Sequence, residues 1–219
     1  MGIVARLKWL HYFIVLSFCL VNSGCATYSA CQLPSRSVYS YASRYEDEDL
    51  IVVAENYYTR EKSTTYFDND LTQKFVVPIF IVVNNKSDKE YVIETGSFGL
   101  QASNIKSELK PMASDEVAKK IKRGVFWRTL GWCMIVPIIT IPAAAIGSGI
   151  QTGNVNKQAK TDVSNKNLSV NNRVMPKDTT KGVVFFNAEG DRIKLLENPK
   201  IKAVFISSDN KKMEVVIKL

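Results

Sequence analysis

Apolar residues in this chain come in short, dense runs rather than long helical stripes. Leu50 to Tyr58 is rich in β-branched and aromatic side chains, and Phe75 to Val83 is almost continuously apolar. The length and branching of the second run predict a strand buried on both faces. Pro78 within it suggests an edge or a bulge. Tyr91 to Thr95 and Phe98 to Gln101 predict shorter strands, with a bend at Gly96. Beyond residue 180 the character returns, with strands expected over Val183 to Phe186, Arg192 to Leu196 and Ala203 to Ser207. At the end, Met213, Val215, Ile217 and Leu219 alternate with Glu214, Val216 and Lys218, which predicts a half-buried strand entered through a hairpin at Ser208 to Lys211. Some seven short strands at this spacing suggest a β-sandwich.

The middle of the chain breaks the pattern. Ser114-Asp115-Glu116 reads as a helix start, with a capping hydroxyl and acids in the first turn. A basic stem follows through Lys119, Lys120, Lys122, Arg123 and Arg128. Leu130 to Ile150 then carries no charge for 21 residues, long enough to span a bilayer. If its flanks belong to one sandwich, however, a single crossing would put them on opposite sides of the membrane. Pro137 and Pro142 break a straight helix, and Ala143, Ala144, Ala145, Gly147 and Gly149 permit close packing. A helical hairpin is therefore expected, rising from Ser114 to about Met134 and returning from about Ala143. Its tip would carry Trp132, Met134, Ile135, Val136, Ile138, Ile139 and Ile141. Such a tip could be core, a partner or self-association surface, or a re-entrant membrane contact anchored by Trp127 and Trp132. Asn154 to Asn172 is polar and could begin as a second helix.

The N-terminus has its own logic. Arg6 and Lys8 precede an apolar run from Leu10 to Val21, then small residues, and no acid occurs before Glu46. That is the layout of an export signal. The stretch ending Ser23-Gly24-Cys25 resembles the lipobox of bacterial lipoproteins, although Asn22 stands where that family usually has leucine. The resemblance implies acylation of Cys25 by fatty chains such as palmitate, with Cys25 as the mature N-terminus. Several chains anchor firmly where one holds weakly. Ala26 after the cysteine implies the outer rather than the inner membrane. A retained anchor helix and cleavage after Ala26 are the alternatives. Residues 25–47, rich in Ser, Tyr, Ala and Arg, read as a tether.

A second resemblance concerns the fold. An apolar strand, Asn84-Asn85-Lys86-Ser87, a second strand and Gly-x-Phe-x-Leu, together with Pro176, Gly182, Val184 and Phe186 in a Gly-x-Val-x-Phe strand, resemble immunoglobulin-like domains of secreted bacterial lipoproteins. This covers Leu50–Lys110 and Val174–Leu219 and leaves out the insertion Pro111–Arg173. It implies a scaffold or binding module. The expected fold is mainly β with an α insertion, an immunoglobulin-like antiparallel β-sandwich interrupted by an apolar helical hairpin. The segments are a signal over 1–24, a tether over 25–47, sandwich halves over 48–110 and 174–219, and an insertion over 111–173.

Charge and chemistry narrow the function. Losing Arg6 and Lys8, from 29 basic against 21 acidic residues, takes the net charge from +8 to +6. That suits anionic headgroups or acidic partners, but the basic residues are spread and no nucleic-acid module is present. The sole histidine, His11, leaves with the signal, which excludes Ser-His-Asp and Cys-His mechanisms in the mature chain and argues against zinc. Cys31 and Cys133 remain and could pair or stay free. Asp68 and Asp70 could share a cation but lack further spaced ligands, and Glu46 to Asp49 reads as a solvated boundary. No cofactor is expected. The reading is a lipid-anchored, non-enzymatic envelope protein. It would serve as a structural or assembly component, engaging the membrane, an envelope complex or its own copies through the hairpin. The alternative is a ligand- or peptide-binding sandwich whose hairpin is core.

Overall fold

The computed structural model describes residues 28–122, 141–168, 172–189 and 196–219. The chain divides into two units: residues 1–28 with 123–157, and residues 29–122 with 158–219. The second holds every described strand. Its first sheet contains β1 (Arg44–Glu46), β2 (Leu50–Asn56), β3 (Val76–Asn85), β6 (Pro111–Met112) and β8 (Thr179–Asn187), in the order β1-β2-β3-β8-β6. Its second contains β4 (Tyr91–Ile93), β5 (Gly99–Gln101), β7 (Arg173–Val174), β9 (Lys200–Ser207) and β10 (Lys212–Lys218), in the order β10-β9-β4-β7, with β5 also pairing β9. All pairings between these strands are antiparallel. The early and late parts of the chain share a sheet, because β3 pairs β8 from Val76↔Asn187 to Asn84↔Thr179.

Two apolar layers follow from one strand. Val77, Ile79, Ile81 and Val83 of β3 face a core shared by both sheets, with Leu50, Val52, Val184 and Phe186 beside them and Ile93, Ile201, Phe205, Val215 and Ile217 across. The alternate residues Val76, Phe80 and Val82 are buried too. On that face Phe80 stacks on Tyr57 at 5.4 Å, and Phe185 of β8 meets Phe67 edge-on at 5.5 Å. Phe67 closes α1 (Arg60–Phe67), while α2 (Ser114–Ile121) buries Val117 and Ile121. Both faces of the first sheet are therefore covered, which is why β3 reads as an unbroken apolar run.

Pro78 sits in a central strand, not at an edge or bulge. Its carbonyl accepts from Tyr57 N–H at 3.0 Å, so its nitrogen also faces the β2 side, just past the end of that strand. The carbonyl of Tyr57, left without that donor, accepts from Thr59 N–H at 2.8 Å. The missing N–H thus orphans nothing.

Among its described residues the inserted segment shows two helices. In α2 the cap position is Ala113 without a side-chain cap, and Ser114 is already helical. A single helix, α3 (Ile141–Lys166), runs through the small residues expected to open the return helix and on into the polar stretch. The turn of the expected hairpin, over 123–140, lies outside the described residues. So does most of the expected strand Arg192 to Leu196. After α3, Asn167 bridges Val183 and Leu168 crosses β8 against Gly182.

Candidate functional site

The chain from Ser29 onward is docked, where a tether was expected. Ser29 Oγ meets Asp68 Oδ1 at 3.2 Å, and Cys31 N–H donates to the Thr65 carbonyl at 2.8 Å. Lys181 Nζ donates to the Pro34 carbonyl at 3.2 Å, and Arg36 pairs with Glu55 at 2.8 Å. Val38 and Tyr41 are buried. Most of these bonds use backbone groups and isolated side chains, so no periodic apolar signal marks the segment.

Lys166 fixes this lead-in to the body. Its Nζ donates to the carbonyls of Cys31 (2.8 Å) and Tyr66 (2.6 Å) and to Asp162 Oδ2 (2.7 Å), and lies 5.6 Å from the centre of the Phe67 ring. The residue is 7 % exposed. A buried ammonium is tolerable only with such a full set of acceptors. Beside it, Glu55 is clamped between Arg36 and Lys62, at 2.8 and 3.0 Å. The guanidinium of Arg36 sits 4.1 Å over the Tyr41 ring, and Tyr57 stacks on Tyr66 at 4.7 Å. Burial, with Glu55 nearby, pushes the Tyr57 phenol far above its ordinary range. The cluster is a tie between segments: Asp162 is paired with Lys166, and Glu55 is neutralised on both sides.

The acidic candidates also serve the fold. Asp68 takes a left-handed conformation (φ 50°) as the C-cap of α1. Asp70 accepts from Thr72 N–H and Oγ1 and from Gln73 Nε2, at 3.1, 2.5 and 3.0 Å, and stands 3.8 Å from Arg60. In the run Glu46 to Asp49, Asp47 Oδ1 accepts from the N–H groups of Asp49 and Leu50, which builds the β1–β2 turn. Asp49 accepts from Tyr91 Oη at 2.8 Å. Among the described residues no three His, Cys, Asp or Glu side chains converge as a metal site would need. Cys31 is exposed and unbridged, and Cys133 lies outside the described residues.

One open groove of about 830 Å³ lies along the start of β8, lined by Leu33, Asn165, Arg173, Asp178, Thr180 and Lys181 among others. Its polar groups are largely engaged within the protein. Thr180 Oγ1 donates to the Arg173 carbonyl at 3.2 Å, and Arg173 pairs with Glu90 at 3.1 Å. Among the described residues Asp178 is the one acid in that lining, so they offer no carboxylate pair there for acid–base work.

Of the contact residues expected from sequence, Cys25, Trp127, Trp132, Ile135, Val136, Ile138 and Ile139 lie outside the described residues, as do Arg123 and Arg128. Ile141 opens α3. Lys119 and Lys122 are exposed, whereas Lys120 is tied to Glu189 at 2.5 Å and Asn187 at 3.2 Å. Among the described residues no helix is long and apolar enough to cross a membrane. Sequence reasoning missed Lys166 and Arg36, because a lysine in a polar helix and an arginine in a Ser-rich stretch look like solvated residues. Compared with family models, curated proteins and solved structures, the chain matches none.

Proposed function

We propose that this chain is a lipid-anchored envelope protein without enzymatic activity, a structural or assembly component that engages membrane or partner proteins through its apolar insertion. The finer fold we propose is an immunoglobulin-like sandwich, and the address the outer membrane, through acyl chains on Cys25. The observation that carries the reading is the pairing of β3 with β8 around the insertion. A charge-free stretch of 21 residues leaves one body and returns to it, so it suits insertion into a surface from one side. The export pattern before Cys25 supplies the surface.

Two experiments test this. Intact mass of the mature protein should show acyl groups on Cys25, lost in Cys25→Ala. Replacing Leu130–Ile150 with a short polar linker should leave a folded β body that loses membrane or partner binding. Loss of folding instead would favour the second reading, a binding sandwich whose insertion is core. The groove beside Arg173 and Lys181 supports that second reading.

A further inference from the structure

The turn after α1 holds two passing stretches of chain at once. Asp68 takes the hydroxyl of Ser29, and the next residue, Asn69, donates through Nδ2 to the Ile121 carbonyl at 3.2 Å. Ser29 stands four residues after Cys25, and Ile121 nine residues before the charge-free stretch. On the far side of the insertion, Lys160 of α3 pairs with Asp115 of α2 at 3.2 Å. The lead from the anchoring cysteine and the roots of the apolar stretch thus meet the β body around one corner. Lys74, Lys119 and Lys122 are exposed around it, and α2 packs against the 3-10 turn Leu71–Lys74. Of the carboxylates around it, Asp68 and Asp70 are turned onto Ser29, Thr72 and Gln73, Asp115 pairs with Lys160, and Glu116 is exposed on the first turn of α2.

We propose that this Asp68–Asn69 corner is the membrane-facing surface of the β body, with a layer of anionic lipid headgroups as its partner. The proposal rests on the acyl-anchor reading above and adds an orientation to it. A free tether of the 22 residues from Cys25 to Asp47 would let the body wander by ~25 Å and tumble. Docking at Ser29 shortens the lead to at most ~14 Å of extended chain. The opposite end of the body, marked by the pairs Lys89–Asp209 and Lys177–Asp88, lies roughly 33 Å away along ten-residue β3. Attraction between lysines and headgroups fades within a Debye length, about 8 Å at physiological salt. Only the corner that the short lead holds down gains from it.

The test uses full-length, processed protein carrying Cys31→Ser and Cys133→Ser, with one added thiol for a fluorophore. Lys74→Cys marks the corner, and Asp88→Cys, whose side chain is 91 % exposed, marks the far end. Each is reconstituted into vesicles of phosphatidylethanolamine and phosphatidylglycerol with a headgroup nitroxide quencher. The label at 74 should lose most of its emission, and the label at 88 should keep it. Equal quenching, no quenching at either site, or stronger quenching at 88 in acylated, floating protein overturns the orientation alone. Protein that lacks acyl mass, or that fails to float with the vesicles, overturns the anchor reading itself.

Discussion

Replacing Lys166 with methionine keeps most of the stem volume and removes the ammonium. Three acceptors lose their donor: the Cys31 and Tyr66 carbonyls and the Asp162 carboxylate, now at 2.6 to 2.8 Å from Nζ. Hydrogen bonds to charged groups contribute ~1.5–3 kcal/mol each, and breaking a buried pair costs ~3–5 kcal/mol. Two factors reduce the net. The burden of burying a cation disappears, and Asp162, with a quarter of its side chain exposed, can rehydrate. We expect a loss of ~2–3 kcal/mol, or roughly 5–10 °C in melting temperature for a chain of this size. Urea melts of Lys166→Met, Asp162→Asn and the double variant measure the loss and the coupling between the two groups. Limited trypsin digestion adds a local readout, since the bond after Arg36 should be cut faster once Cys31 is released. A stability change below ~0.5 kcal/mol, together with unchanged cleavage, would refute the reasoning, because that is the scatter of ordinary surface substitutions.

Two other outcomes are expected. Gly182→Ala places a methyl group 2.7 Å from Leu168 Cα and 2.8 Å from its nitrogen, and since backbone cannot rotate away, overpacking should cost ~1–3 kcal/mol in a denaturant melt. The Tyr58 and Tyr91 phenols are each pushed up to about 12, chiefly by burial and then by Asp70 and Asp49 respectively, against 10.0 when free. Their contribution is complete below the free value and is lost as pH rises through the folded one, so stability should fall between about pH 10 and 12, by on the order of 2 kcal/mol per group. Fluorescence-monitored unfolding across that range should show a shallower fall in Tyr91→Phe.

Legibility in the sequence tracked apolar content. The β3 run, the alternation of β10 and the Ser208–Lys211 hairpin could be read directly, because burial sets those residue types. β1, with Arg44, Tyr45 and Glu46, could not: pairing to β2 makes it a strand, and its side chains carry no apolar pattern. α1 was equally silent, since Ser63 and Phe67 are its buried residues and its start rests on Thr59 Oγ1 accepting from Lys62 N–H. Phe75 looks like the first strand residue but adopts φ 52°, closing a 3-10 turn instead. For the candidate surface, residue types suggested a basic stem, but only packing separates Lys120, spent on Glu189, from exposed Lys119 and Lys122.

The ladder between β3 and β8 sets a timetable for synthesis. Asn84 bonds to Thr179, a residue that emerges 95 positions later. Until then the most apolar strand of the chain has one flank unzipped, and the oily insertion emerges during the same interval. Such distant contacts slow folding and leave the nascent polypeptide open to mispairing. A holding chaperone that shields residues 76–85 until the last third of the chain arrives would therefore raise the yield of native protein more than one acting after release.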